Sequence, residues 1–190
     1  MERRVFIAIN LPEEVLDAIE DSLRRFEDRG GVRLREEFRF VPKENWHITL
    51  SFLGGQAEDA IVKIIAAMQE IASLFRLEPL SFKNICFGPL NRPPRMVWAV
   101  LDTPGSAVLA RMKTALEDQL EAIGVRFRRE HRDFLGHITL ARRSVGGHLR
   151  TRPEERIRAI FTPKTIDLME SELRRTGAEY HLLQSAPFLL

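Results

Sequence analysis

The sequence predicts an α+β fold made of two related halves, and three observations lead there. The tetrapeptide His47-Ile48-Thr49-Leu50 returns as His137-Ile138-Thr139-Leu140, 90 residues further on. That spacing is far too long for a solenoid repeat and suits two halves of one domain with a cleft between them. Both copies sit in runs of strand character, whereas three other segments repeat their apolar residues at helical spacing. Finally, the order strand, helix, strands, helix, strands, helix, strands calls for mainly antiparallel sheets with helices on their outer faces.

Residues 5–9 are apolar and β-branched, the pattern of a central strand, and Pro12 opens a helix. Leu16, Ile19, Leu23 and Phe26 form its apolar stripe, Glu13 and Glu14 suit its positive end, Arg24 and Arg25 its negative end, and Gly30-Gly31 stop it. Residues 38–41 read as a short strand closed by Pro42. The first motif strand follows and is expected to end at Gly54-Gly55. Ile61, Ile64, Ile65, Met68, Ile71, Ala72 and Phe75 mark the second helix. Strands are expected at 82–87 and 96–101, joined by a loop whose prolines exclude regular structure. A third helix spans about 104–123, with Leu109, Met112, Leu116, Leu120 and Ile123 on one side and Gly124 as its stop. The second motif strand comes next. A polar loop at 144–151, a short helix at 153–159 and two last strands, 165–173 and 179–183, turning at Gly177, complete the chain.

With 190 residues, 44% of them hydrophobic, the chain is long enough to bury its own core, so one domain over 1–190 is expected. The net charge of +2 hides a local excess: Arg126, Arg128, Arg129, Arg132, Arg142, Arg143, Arg150 and Arg152 fall in one region. Such a stripe suits either a phosphate-bearing partner or a solvated surface. The single Cys86 excludes an internal disulfide and a zinc-thiolate cluster, which fits a reducing cytoplasm. The five apolar residues after Met1-Glu2-Arg3-Arg4 are too few for a signal segment, and no run approaches the ~18 apolar residues of a membrane span. A soluble, cytoplasmic monomer with no membrane partner is expected.

Strand alternation puts His47, Thr49 and Ser51 on one face and Ile48, Leu50 and Phe52 on the other. In the second copy His137, Thr139 and Ala141 oppose Ile138, Leu140 and Arg142. Histidine titrates near neutral pH, so a pair of them, one protonated and one neutral, forms an acid and a base. In-line attack at phosphorus needs both, on opposite sides of the phosphate. Each threonine lies about 6–7 Å along its strand from the histidine, within reach of the non-bridging oxygens. Arg142 ends the second motif, where its fork suits either a phosphate or a surface ion pair. No carboxylate or thiol adjoins either histidine, so a zinc ion on His47 and His137 would need two distant ligands; neither metal nor cofactor is expected. His131, His148 and His181 suit surface or packing roles, and Trp46, Phe6 and Phe134 suit the core, with base stacking as the alternative.

Around these motifs the chain resembles the two-histidine phosphoesterase superfamily, and within it the RNA 2′,3′-cyclic phosphodiesterases, also called 2′-5′ RNA ligases. The resemblance rests on the two motifs, on Arg4-Val5-Phe6-Ile7-Ala8-Ile9-Asn10-Leu11-Pro12, and on Asn45-Trp46-His47-Ile48-Thr49-Leu50-Ser51-Phe52-Leu53-Gly54. It also includes Arg92-Pro93-Pro94-Arg95-Met96-Val97-Trp98 and the extension of the second motif to Ala141-Arg142. It implies a bilobal fold with pseudo-twofold symmetry and a groove between the lobes. It further implies metal-independent opening of RNA 2′,3′-cyclic phosphate ends, tRNA fragments among them, to a 2′-phosphate, with ATP-independent 2′-5′ ligation as the reverse. His47 and His137 become acid and base, Thr49, Thr139 and Arg142 phosphate ligands. The motifs do not distinguish the two histidine roles, although His137 as base and His47 as acid is the favoured order. Cyclic phosphodiester cleavage on small nucleotides, trimming of RNA 3′ ends and non-catalytic RNA binding are the alternatives. One position departs from the family, which usually has proline before the second histidine; here it is Gly136, which frees the backbone there.

Overall fold

The computed structural model describes residues 2–30, 34–89, 93–144, 154–174 and 177–189. Two antiparallel sheets carry the fold. The first has the order β10-β9-β1-β3 and the second β2-β6-β5-β4-β7. In chain order the strands are β1 (Arg3–Asn10), β2 (Phe38–Phe40), β3 (His47–Gln56), β4 (Leu80–Gly88), β5 (Met96–Leu101), β6 (His137–Arg143), β7 (Glu155–Arg156), β8 (Ile160–Phe161), β9 (Thr165–Arg174) and β10 (Gly177–Pro187). The helices are α1 (Glu13–Gly30), α2 (Leu34–Glu37), α3 (Glu58–Leu74) and α4 (Thr103–Ala122). The expected α+β class with two mainly antiparallel sheets is the class observed. The halves exchange parts, however. β2 from the first half pairs with β6, and β9 and β10 from the end of the chain complete the sheet of β1 and β3.

Local chemistry explains the helices. The Pro12 carbonyl accepts the amides of Val15 and Leu16 at the start of α1. Asp102 caps α4, its Oδ1 accepting from the Gly105 amide at 2.8 Å, and Gly124 at φ +79° takes the left-handed turn that ends it. α1 packs against β4 and β7, α3 against β9, β10 and α4, and α4 against β3 and β4. Fully buried Ile7, Ile48, Ile64, Leu109, Leu116, Ile138 and Leu140 form the core between these helices and the sheets. Among the described residues no helix is long and apolar enough to cross a membrane.

Three expectations need correction. Residues 153–159 are not a helix: β7 and the approach to β8 lie there, Pro153 being outside the described residues. Glu155 is buried where its carboxylate meets Arg25 and Arg29 of α1, and its backbone pairs with Ile85, so tertiary contacts override local helix preference. Gly54-Gly55 do not end β3, which runs on to Gln56, with Gly54 at φ +73° inside an irregular pairing with β1.

The third correction shapes the site. Both motif strands carry a β-bulge after their leucine. Opposite β1, the pairs Asn10↔His47, Ala8↔Thr49 and Phe6↔Phe52 share one face, and Ile7↔Ser51 lies on the other. Opposite β5, Trp98↔Thr139 and Met96↔Arg142 share one face, and Val97↔Ala141 lies on the other. The extra residue reverses the alternation. Ser51 and Ala141 therefore turn into the core, 4% and 0% exposed, while Phe52 and Arg142 join the histidines and threonines.

Candidate active site

His47 and Thr49 are half-buried between fully buried Ile48 and Leu50, and His137 and Thr139 repeat this between Ile138 and Leu140. β3 is the edge of its sheet and contacts β6 of the other, so the two motif strands approach each other directly. Each ring is braced in the same way. His47 Nδ1 lies 2.8 Å from the Asn45 carbonyl, and His137 Nδ1 lies 2.7 Å from the Leu135 carbonyl. A carbonyl oxygen only accepts, so Nδ1 carries the proton in both rings and each Nε2 presents its lone pair.

Aromatic walls surround the rings. Phe6 lies 4.8 Å and Tyr180 5.2 Å from His47, and Trp98 lies 4.1 Å from His137. Phe6, Ala8 and Met169 form a small apolar cluster beneath the first motif, and Cys86, Trp98 and Val100 form another beneath the second. Gly88 makes room for the indole, because a Cβ there would meet the Trp98 ring at 2.2 Å. Burial, more than any other cause, pushes the His47 imidazole down to about 4, helped by the positive charge of Arg142 and by His137. Burial likewise lowers His137, with Arg132 and Arg142 adding to it. Both rings are thus held neutral in the free protein, and Arg142 acts on both.

Arg142 is exposed, with Nη1 3.8 Å from Met96 Sδ. The rest of the arginine stripe is partly neutralised. Arg129 pairs with Glu117, Asp118 and Glu121, Arg132 with Glu130 and Arg143 with Glu37; Arg150 and Arg152 lie outside the described residues. His131 is exposed on the approach to β6, and His148 lies outside the described residues. His181 is exposed on β10, one residue from Tyr180 and so on the other sheet face, beside Glu172 and Glu179. Arg174 bridges those two carboxylates. Trp46 is a core residue that donates to the Val41 carbonyl, and Phe134 packs on the core, whereas Phe6 reaches the site. Trp98, Tyr180 and Gly88 are not legible in the sequence as site residues. Trp98 is signalled only by its register against Thr139, whereas Tyr180 and Gly88 lie on strands that do not pair with a motif strand.

Gly136 has a local explanation. Its amide donates to Ser106 Oγ at 3.2 Å, its carbonyl accepts the Leu101 amide, and a Cβ would come within 2.7 Å of Leu101 Cδ1. Proline would remove the amide and press on Leu101. The histidine that follows is nevertheless braced as His47 is.

Residues 9–98 match the family model described as LigT like Phosphoesterase. The chain is 29% identical over 139 residues to the RNA 2′,3′-cyclic phosphodiesterase of Archaeoglobus fulgidus, covering 73% of this chain and 72% of that one. It is 27% identical over 187 residues to the protein of the same name from Thermus thermophilus, covering 95% and 88%. A crystal structure from Thermus thermophilus superposes with a TM-score of 0.79 at 26% identity over 97% of both chains. The E. coli LigT structure complexed with 3′-AMP shares the fold, with a TM-score of 0.74 at 22% identity over the full length of both.

Proposed function

We propose that the chain is a LigT-like phosphoesterase and that it hydrolyses RNA 2′,3′-cyclic phosphate ends to 2′-phosphates by paired histidine catalysis without a metal. One observation carries the reading: two half-buried imidazoles on facing strands, each with Nδ1–H tied to the carbonyl two residues upstream and Nε2 left to act. His137 Nε2 takes a proton from water as its oxygen attacks phosphorus. The P–O3′ bond opposite breaks, and His47 Nε2–H protonates the departing 3′ oxygen, leaving the 2′ ester intact. Thr49 and Thr139 donate to the non-bridging oxygens, and Arg142 opposes the charge that builds on them.

The neutral resting state fits this cycle. A neutral ring is ready to serve as base, and the incoming phosphodiester anion offsets the positive surroundings that disfavour imidazolium, so that one ring can load a proton as acid. The same groups used in reverse would join a 2′,3′-cyclic end to a 5′-hydroxyl without ATP. The test is hydrolysis of an oligonucleotide ending in 2′,3′-cyclic phosphate, in EDTA, with the product identified as the 2′- or 3′-phosphate. A 2′-phosphate product, lost in His47→Ala and His137→Ala, is expected. No turnover, or turnover surviving either substitution, contradicts the proposal.

A further inference from the structure

The bulge that turns Arg142 onto the face of the motif histidines brings a second cation with it. β2 pairs with β6 so that Arg39 stands directly opposite Arg142, between Phe38↔Arg143 and Phe40↔Ala141. Directly opposed residues share a face, so Arg39 lies on the face of Arg142 and the motif histidines, and Phe38 and Phe40 on the other. Arg39 and Arg142 are both exposed, whereas Phe38 is buried and Phe40 partly so. Two guanidinium groups carried on Cα atoms about 5 Å apart concentrate positive charge on one spot of this face, and such a spot attracts an anion. The Arg39 side chain also extends toward the other sheet: a Cβ built on Gly177, the first residue of β10, would lie 3.3 Å from Arg39 Nη2. Next to Gly177, the Ala178 carbonyl accepts from Asn45 Nδ2 at 3.4 Å, and Asn45 is the residue whose own carbonyl braces His47. Positive charge therefore continues from Arg142, beside the histidines, to Arg39, which reaches the first residue of β10 in the other sheet.

A 2′,3′-cyclic phosphate exists only at the 3′ end of a strand. The one phosphate adjoining it is the diester on the 5′ side of the terminal nucleoside, which a cyclic mononucleotide lacks. We infer that Arg39, with Arg142, forms a subsite for that 5′ phosphate, so that the enzyme selects an RNA strand over a lone cyclic nucleotide. The inference rests on the cyclic phosphodiesterase reading above.

The experiment compares a dinucleotide ending in 2′,3′-cyclic phosphate with the matching cyclic mononucleotide, using the wild-type chain, Arg39→Gln and Arg39→Lys. The ratio of kcat/KM values, dinucleotide over mononucleotide, should fall about tenfold in Arg39→Gln and largely recover in Arg39→Lys. The slope of log(kcat/KM) for the dinucleotide against log salt should become shallower by about 0.7 in Arg39→Gln, the amount for one lost phosphate contact on a single strand. Equal losses on both substrates, or no loss, overturn the subsite. Binding of a 3′-phosphorylated dinucleotide and of the corresponding mononucleotide keeps the two claims apart. If the wild-type chain cleaves neither substrate, the hydrolase reading fails, yet a selective tenfold weakening of dinucleotide binding in Arg39→Gln still upholds the subsite. Unchanged selectivity there overturns it.

Discussion

Burial of His47 makes a prediction about stability that requires no substrate. The ring titrates near 6.5 in an unfolded chain and at about 4 in the folded one. At pH 5 the unfolded chain therefore binds a proton that the folded chain refuses, and lowering the pH favours unfolding. The contribution is fully present above about pH 6.5 and is lost as the pH falls toward 4. At about 1.4 kcal/mol per pKa unit the loss approaches about 3 kcal/mol, an upper value because the ring is partly solvated. For a chain of this size that corresponds to roughly 6–12 °C in Tm at most. Thermal unfolding of the wild-type chain and His47→Gln between pH 4.5 and 8 isolates the effect, since carboxylates titrate equally in both. The wild-type Tm should fall more steeply below pH 6.5 than that of the variant. Parallel curves would refute the claim that a buried, neutral imidazole is held at this position. The same linkage predicts that sulfate, whose charge is constant over this range, binds more tightly as the pH falls from 7 to 5, and that His47→Gln flattens this dependence.

Other substitutions test separate parts of the site. Gly88→Ala should push the Trp98 indole against His137 and lower kcat on cyclic phosphate ends by about tenfold or more, measured in steady-state assays. Glu117→Ala should destabilise the fold by about 3–5 kcal/mol in urea unfolding. It strands Lys113, 9% exposed, and removes the carboxylate that accepts from Ser51 Oγ at 2.7 Å. Gly136→Pro should cost about 1–3 kcal/mol by the same measurement, through the lost hydrogen bond to Ser106 and the pressure on Leu101. Arg142→Gln should weaken inorganic phosphate binding about tenfold or more by calorimetry.

Much of the site can be read along the chain because short-range alternation reports faces directly. His47, Thr49, Ile48 and Leu50 lie as the repeated tetrapeptide implies, as do their counterparts at 137–140. The reading fails one residue later, at Ser51 and Ala141. A bulge is set by how a strand meets its neighbour, and hydrophobic alternation carries no mark of it. Alternation alone puts Arg142 on the face away from His137, at odds with a phosphate role, and the bulge reconciles the two. Trp98 and Arg39 enter through pairing across long separations, and Tyr180 enters because its hairpin of β9 and β10 docks on β1, which no local pattern encodes. The 153–159 segment misleads for the same reason: Arg25 and Arg29, far upstream, determine where Glu155 goes.

The central claim is that one phosphate sits between the two motif histidines, and nitrogen-15 NMR of the imidazoles during a phosphate titration tests it most directly. The account predicts that the Nε2 signals of His47 and His137 shift together, with one dissociation constant and one phosphate per chain, while both Nδ1 nitrogens stay protonated. Shifts confined to one histidine, or two separable binding events, would contradict it.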